Sequence, residues 1–393
     1  MAEIPVTQVS LLARLRAISA TVAALAKGTM KTMLTHQFKA GAFLLAVVFG
    51  LSAGTGIPTR QVLSARQPEP AAKSKKEAAS AGPTQPSQHS QDKPGRLLFY
   101  RTGHLTLIGP DGKNEKQASK DGGEFVPTHA WLSPDGKGIA FTVQVEREPV
   151  AGRDPRRKVY VRGLDEPEPG TDLKVEGQHV CWSPDGTQLV AVECVYGDDP
   201  KDVTFVNWLV DVKTKEKTAL KLPKNHEMKD WSRDGKHFLT AAHELKKKPT
   251  TARLYLMNRD GTEAETLTDG TEPVYSGRLS PDGRKLLYLA PDPERKRKDG
   301  VAGKGLFVLD IPKRKSMRLE GQPLNGEFVG FCWSPDGKRI AYAWRQVHEK
   351  KDADQDMESS LVVADADGKN PVTIATEKAL VTGPIAIGAV DWR

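Results

Sequence analysis

A four-residue motif, Ser-Pro-Asp-Gly or a close variant, returns five times between residues 133 and 337, and it restricts the fold more than any other feature. The copies lie about 50 residues apart, which is the sequence signature of a repeat architecture. Four copies carry proline in second position and one carries arginine. The copies are Ser133-Pro134-Asp135-Gly136, Ser183-Pro184-Asp185-Gly186, Ser232-Arg233-Asp234-Gly235, Ser280-Pro281-Asp282-Gly283 and Ser334-Pro335-Asp336-Gly337.

The chemistry of this motif is that of a tight turn between two strands. A serine hydroxyl can bond the backbone ahead of it, proline presets φ, aspartate suits the third position and glycine accepts a positive φ. The turn accounts for the aspartates better than calcium binding does. An alternating strand follows, as in 139–143, and then a second hairpin, as in 254–261. Four strands in a unit of about 50 residues predict one blade of a β-propeller.

The two ends of the repeat region indicate how the ring closes. Residues 96–100 match the strand after the turn, and residues 389–393 match the strand before it. Trp392 takes the place that tryptophan has before three of the turns. We therefore predict an all-β, six-bladed β-propeller over residues 95–393, closed by a C-terminal strand carrying Trp392. Such closure removes the exposed edges of an open sheet.

These five motifs and the closing strand resemble the WD40-like (PD40) repeats of TolB-type propellers. That family consists of bacterial, usually exported, six-bladed propellers, and the resemblance covers residues 96–393, about three-quarters of the chain. It implies the fold and a location outside the cytoplasm. TolB proteins carry an α/β domain before the propeller, where this chain has a linker, so the resemblance does not imply TolB's own role in envelope integrity.

The first part of the chain indicates a membrane segment. Residues 1–39 are basic, with apolar residues at helical spacing, and residues 40–59 have no charged residue over about the length of a membrane helix. Two interpretations stay open. One is a single-pass anchor with its N-terminus in the cytoplasm and the propeller outside; the other is a signal peptide that exports the propeller to the periplasm. A buried helix of a soluble domain is a third, less supported interpretation, because no neighbouring segment supplies a packing partner.

Residues 60–94 are predicted to form a disordered linker, because proline, alanine, serine, glutamine and lysine dominate and aromatic residues are absent.

The formal net charge is +8, concentrated in the N-terminal segment and in lysine-rich loops. No basic run is interleaved with aromatic residues, as nucleic-acid binding surfaces usually are. We therefore predict membrane contact through the N-terminal segment and no nucleic-acid partner.

The sequence carries few catalytic signals. It has no Gly-x-Ser-x-Gly, His-Glu-x-x-His or Cys-x-x-Cys motif and no phosphate-binding loop. His129 and His179 each precede a repeat serine by four residues, which makes them weak candidates for the channel. A metal site needs a third ligand that the matching positions do not supply, so ordinary hydrogen-bonded histidines are favoured. We predict no cofactor, no metal and three unbridged cysteines.

The loops between the second and third strands are long in five of the six predicted blades. Three are basic and two are acidic, and all are expected on the face opposite the Ser-Pro-Asp-Gly turns. They are either solvated surface or a binding face on a rigid scaffold. The sequence thus favours a non-catalytic, membrane-tethered or exported binding module for a protein or envelope polymer. The alternative is an enzyme with its site in the propeller channel, such as a lactonase or lyase. The loops span 144–158, 194–204, 243–251, 291–304 and 346–360.

Overall fold

The computed structural model describes most of the repeat region. The described residues are 95–119, 127–145, 153–199, 203–244, 251–269, 274, 276–296, 302–348, 356–380 and 387–393. The predicted amphipathic segment 1–39, membrane segment 40–59 and linker 60–94 lie outside these residues. Within the part of the chain that the structure describes, no helix is long and apolar enough to cross a membrane.

The described residues form 24 strands and no helix, arranged as six antiparallel sheets of four strands. The first blade contains β1 (Leu97–Arg101), β2 (His104–Ile108), β3 (Lys116–Gln117) and, as its innermost strand, β24 (Ile387–Trp392). The second contains β4 (Pro127–Leu132), β5 (Gly138–Gln144), β6 (Arg157–Gly163) and β7 (Thr171–Glu176). The third contains β8 (His179–Trp182), β9 (Gln188–Tyr196), β10 (Val203–Asp211) and β11 (Lys217–Ala219).

The other three blades follow the same order from the channel outwards. The fourth contains β12 (His226–Trp231), β13 (His237–Glu244), β14 (Thr251–Asn258) and β15 (Glu265–Thr266). The fifth contains β16 (Ser276–Leu279), β17 (Lys285–Lys296), β18 (Ala302–Asp310) and β19 (Lys315–Arg318). The sixth contains β20 (Glu327–Trp333), β21 (Arg339–His348), β22 (Asp356–Asp365) and β23 (Val372–Leu380).

The ring closes through the C-terminal strand, so the predicted six-bladed, all-β fold is confirmed. Strand β24 pairs antiparallel with β1, and Trp392 stands opposite Leu97 in that register. The backbone of Arg96 and Arg393 exchanges two further hydrogen bonds, of 2.6 and 3.1 Å. The six innermost strands β24, β4, β8, β12, β16 and β20 contact one another in a closed circle.

The hydrophobic core lies between neighbouring blades rather than in one central cluster. The closing interface shows this arrangement, since Leu97, Phe99 and Trp392 of the first blade pack with Ala341 and Leu361 of the sixth. All five of these side chains are fully buried or nearly so. Because each sheet buries both faces against its neighbours, every blade depends on the two beside it.

The Ser-Pro-Asp-Gly turns share one geometry. In the first copy, Ser133 Oγ donates to Asp135 Oδ1 and accepts from the backbone N–H of Gly138, at 2.5 and 2.8 Å. The same aspartate oxygen accepts the N–H of Lys137 at 3.0 Å, and Gly136 has a φ of +67°. Equivalent serine–aspartate bonds occur in the other four turns. These side chains are therefore engaged in forming the turn.

Candidate functional site: the central channel

Six residues line the channel at one level, and each directly precedes the last residue of an innermost strand. On the face that carries the Ser-Pro-Asp-Gly turns they border a pocket of about 100 Å³, whose rim is formed by prolines of those turns. This level, here called the channel ring, is chemically mixed, with two acids, one base, two thiols and one indole. Its members are Asp391, Trp131, Cys181, Asp230, Arg278 and Cys332, in blade order.

The channel ring repeats with a period of three blades. Aspartate stands in the first and fourth blades and cysteine in the third and sixth, whereas the second has Trp131 and the fifth has Arg278. The residues that follow the ring positions repeat in the same way, as tryptophan, leucine, tryptophan. Trp131 and Arg278 are thus the only ring residues that differ between blades three apart. Arg278 is the only cation of the ring.

The two aspartates of the channel ring join neighbouring blades. Asp391 Oδ2 accepts the backbone N–H of Leu132 in the next blade at 2.8 Å, and Asp230 Oδ2 accepts that of Leu279 at the same distance. Asp230 also accepts the N–H of Trp231 through Oδ1, at 2.9 Å. Burial raises the pKa of Asp230, although Arg278 and these hydrogen bonds oppose the rise. Both carboxylates therefore hold the ring together.

Two indoles make a matching pair of contacts. Trp182 Nε1 donates to the carbonyl of Trp131 at 3.3 Å, and Trp333 Nε1 donates to the carbonyl of Arg278 at 3.0 Å. Each bond joins a blade to the one before it. Together with the aspartates, these indoles connect four of the six blade interfaces at the level of the channel ring.

A β-bulge brings a backbone carbonyl into the channel. The register of β12 shifts between Met228 and Asp230, which leaves Lys229 as the extra residue. The carbonyl oxygen of Lys229 accepts hydrogen bonds from Arg278 Nη1 at 2.6 Å and from His179 Nε2 at 3.0 Å. This one oxygen thus connects the third, fourth and fifth blades.

The two candidate histidines both contact the same indole. The ring of His129 stacks on Trp131 with 6.1 Å between centroids, and His179 meets Trp131 edge-on at 5.2 Å. Burial, followed by the charges of Arg278 and Lys229, lowers the pKa of His179 to about 3. His129 is exposed to solvent, but desolvation by the surrounding protein and the charge of Arg157 still lower its pKa to about 4. Both imidazoles are therefore neutral at pH 7.

Among the residues that the structure describes, no group of three or more His, Cys, Asp or Glu side chains is placed to hold a metal ion. The three cysteines are unbridged, as predicted. Cys181 and Cys332 are buried in the channel ring, and Cys194 is half-buried. Burial is the main cause that raises the pKa of all three thiols.

A second polar cluster, which the sequence did not single out, lies towards the opposite end of the channel. Glu227 contacts Lys229 Nζ at 2.5 Å and His243 Nε2 at 2.9 Å. Burial by itself would raise the pKa of Glu227, but Lys229 and His243 lower it to about 2. The sequence showed only that His226-Glu227 lacks the second histidine of a zinc motif; nothing local indicated its partners.

Arginines at the bases of the long loops are engaged in local contacts. Arg153 donates to the carbonyl of Gly197 at 2.8 Å, and Arg156 pairs with Glu176. Arg295 is almost fully buried and donates to several carbonyls of the connection 323–326. These three arginines therefore anchor loops. The loop residues 146–152, 200–202, 245–250, 297–301 and 349–355 lie outside the described part.

Comparison with known sequences gives only partial matches. No protein-family model matches the chain. It is 28% identical over 117 residues to dipeptidyl-peptidase 5 of Porphyromonas endodontalis and 31% identical over 170 residues to the uncharacterized peptidase YuxL of Bacillus subtilis. These segments are 29% and 41% of this chain but 16% and 23% of the two relatives.

Comparison with solved structures agrees on the fold. TolB from Acinetobacter baumannii aligns with a TM-score of 0.53 and 16% identity, over 76% of this chain and 66% of that one. Putative TolB from Agrobacterium tumefaciens aligns with a TM-score of 0.51 and 14% identity, over 76% of this chain and 99% of that one. The chain therefore has a TolB-like, six-bladed propeller fold, as its repeats predicted.

Proposed function

We propose that this chain is a non-catalytic binding module whose propeller is held outside the cytoplasmic membrane, tethered or exported by the N-terminal segment, and binds a protein or an envelope polymer. The observation that carries the proposal is that polar groups in and beside the channel ring already serve the scaffold. Asp230 and Asp391 accept backbone N–H groups, and His179 donates to a carbonyl.

The protonation states of these groups support binding rather than catalysis. A general acid or base works best with a pKa near the working pH. His129 and His179 have pKa values of about 4 and about 3, and burial raises the pKa of the ring cysteines above that of a free thiol. These histidines and thiols are thus kept neutral at pH 7 and are not poised for proton transfer.

The shape of the molecule supports the same proposal. A closed ring offers rigid surfaces at its two ends, and binding groups are commonly held on such scaffolds. The pocket of about 100 Å³ opens on the face of the Ser-Pro-Asp-Gly turns, where indole and proline side chains surround charged groups. The TolB-like fold and the apolar segment 40–59 are consistent with a location outside the membrane.

Export is tested with a phosphatase fused to the C-terminus of the full chain in a bacterial host. Because alkaline phosphatase folds only outside the cytoplasm, we expect an active fusion. A matched fusion that lacks residues 1–59 serves as the control and should be inactive. Activity solely from a cytoplasmic reporter would overturn the proposed location.

Binding is tested in the same cells with a photo-crosslinking amino acid placed at Thr187 or at Val372. Both sites are exposed, but Thr187 lies on a turn beside the pocket and Val372 on an outer strand. We expect defined adducts from Thr187 that Val372 does not give. Identical adducts from both sites would show that the turn face has no specific partner.

An enzyme with its site in the channel is the second candidate, and the contact between Glu227 and His243 is the observation that favours it. The low pKa of Glu227 means that its carboxylate stays ionised beside Lys229, which argues against a general acid there. The replacement Glu227→Gln separates the two candidates. A binding module should give no turnover of a lactone substrate in either the parent chain or the variant, whereas a channel enzyme should turn the lactone over in the parent chain and lose that activity in Glu227→Gln while keeping its fold.

A further inference from the structure

We infer that the pocket at the channel mouth binds an oxyanion, a carboxylate on a short apolar stem, between the guanidinium groups of Arg233 and Arg278. The inference rests on the proposed function and deepens it, because it names the chemistry that a partner would present to the turn face. It follows from the position of Arg233, from the charge balance of the pocket and from the nature of the pocket wall.

Arg233 occupies the place where the other four turns have proline. The turn itself gains nothing from arginine there, since proline presets the φ that this position needs. The side chain instead crosses the channel mouth, and Nη1 donates to the carbonyl of Pro335 at 2.7 Å. Arg233 follows the innermost strand of the fourth blade and Pro335 follows that of the sixth, so the bond joins the turns of two blades that are not neighbours. A guanidinium is thereby held over the pocket.

More basic than acidic side chains line the pocket. Arg233, Arg278 and Arg393 line it together with two acids, Asp230 and Asp391. Both acids already accept backbone N–H groups. In the described part of the chain, no acidic side chain stands within ion-pairing distance of Arg233 or Arg278. Arg233 is exposed, and partial desolvation and the neighbouring charge of Arg393 lower its pKa. Burial would lower the pKa of Arg278 as well, but Asp230 and Asp391 raise it, so Arg233 is the cation of the pocket that has no carboxylate beside it.

The pocket wall selects the kind of anion. At about 100 Å³ the pocket has room for only a few non-hydrogen atoms. Polar atoms form the larger part of its surface, and the indole rings of Trp131, Trp182, Trp231 and Trp333 together with the rim prolines provide apolar surface beside them. A carboxylate matches the planar fork of a guanidinium, and an apolar stem matches the rings. Carboxylates of this kind occur at the ends and on the side chains of peptides and on acidic polymers.

The experiment compares propionate with propionamide, which has the same shape without the charge. Thermal unfolding of the full chain is followed at 100 mM of either compound, at constant ionic strength. A ligand that binds the folded state raises Tm, and we expect a rise of about 2 °C or more with propionate and none with propionamide. Equal effects of the two compounds would overturn the inference. The measurement uses no partner, so its failure would leave the proposed binding module standing.

The variants Arg233→Pro and Arg233→Gln assign the effect to the pocket. The first restores the residue that the other four turns carry, and the second keeps a polar side chain without the charge. Both should lose at least half of the propionate-dependent shift. Lys236→Thr is the matched control, because it removes a positive charge from the same turn at an exposed position outside the pocket. A shift that persists in both Arg233 variants, or vanishes equally in Lys236→Thr, would contradict the assignment.

Inorganic phosphate provides the last arm of the experiment. It carries charge but no apolar stem, so we expect a smaller rise in Tm than with propionate at the same concentration. A larger rise with phosphate would overturn the assignment of a stem-bearing carboxylate.

Discussion

Asp391 Oδ2 accepts a hydrogen bond from the backbone N–H of Leu132 at 2.8 Å, between residues 259 positions apart in the sequence. The bond connects the C-terminal strand of the first blade to the innermost strand of the second. Asp230 and Leu279 form the same bond three blades further on. The ring is thus fastened at two opposite interfaces by a buried carboxylate that reaches into the next blade.

Replacing Asp391 by alanine should lower the free energy of unfolding by about 1–3 kcal/mol, because the N–H of Leu132 would stay buried without an acceptor. Asp391→Asn should cost less, since an amide oxygen can still accept the bond. Urea denaturation at pH 7 measures both. Equal losses in the two variants would show that Asp391 stabilises the fold through its charge and not through the hydrogen bond.

Replacing Trp392 by alanine should cost about 3–5 kcal/mol, as truncation of a large buried aromatic side chain usually does. Its side chain is 1% exposed and packs at the closing interface under the guanidinium of Arg339, 5.0 Å from the ring. Met317→Ala is the control, because this side chain is 51% exposed and should change stability by less than about 0.5 kcal/mol. Similar melting temperatures for both variants would contradict a closed ring.

His179 should make the protein lose stability in acid. Its pKa is lowered from 6.5 to about 3 in the folded chain, so the unfolded state binds the proton more tightly. The stabilisation is present above about pH 6.5 and is lost as the pH falls towards 3. By pH 4.5 the loss should reach about 2–3 kcal/mol.

The variant His179→Gln keeps an N–H donor and removes the titration. Its unfolding free energy should therefore fall less between pH 7 and 4.5 than that of the parent chain. Chemical denaturation at several pH values gives the dependence of the unfolding free energy on pH for both proteins. The same dependence in both would mean that His179 is protonated equally readily in the folded and the unfolded chain.

The three thiols should be unreactive in the folded protein. Cys181 and Cys332 are buried, Cys194 is half-buried, and burial raises the pKa of each, so little thiolate is present at pH 7.5. Ellman's reagent should therefore modify fewer than one thiol per chain within minutes, and three in denaturant. Rapid modification of Cys194 alone would show that the structure around β9 opens readily.

Much of the architecture was predictable because its signals are local. The turn motif acts within five residues, as the bonds of Ser133 to Asp135 and Gly138 show, and it recurs often enough to count the blades. The match between residues 389–393 and the strand before the turn was sufficient to predict closure at Trp392. The membrane segment 40–59 and the linker 60–94 stay predictions, because they lie outside the described residues.

The channel was predictable only in part. The sequence placed His129 and His179 near the channel, but not against a shared Trp131, and it treated Arg233 as a plain variant of the turn. It also left open whether the long loops, three basic and two acidic, are solvated surface or a binding face, and it did not show that Arg153 and Arg295 of these loops anchor them. In each case the missing information was the partner, which lies in another blade or connection.

The sequence by itself therefore determined the repeat, the number of blades and the closing strand, since turn chemistry and strand alternation depend on neighbours along the chain. The tertiary structure alone decided which side chains meet in the channel. The bulge at Lys229 breaks the two-residue period, so its carbonyl reaches His179 and Arg278. Ring closure brings Arg233 to Pro335, 102 residues away. Contacts across blades depend on register and closure, and no local pattern encodes them.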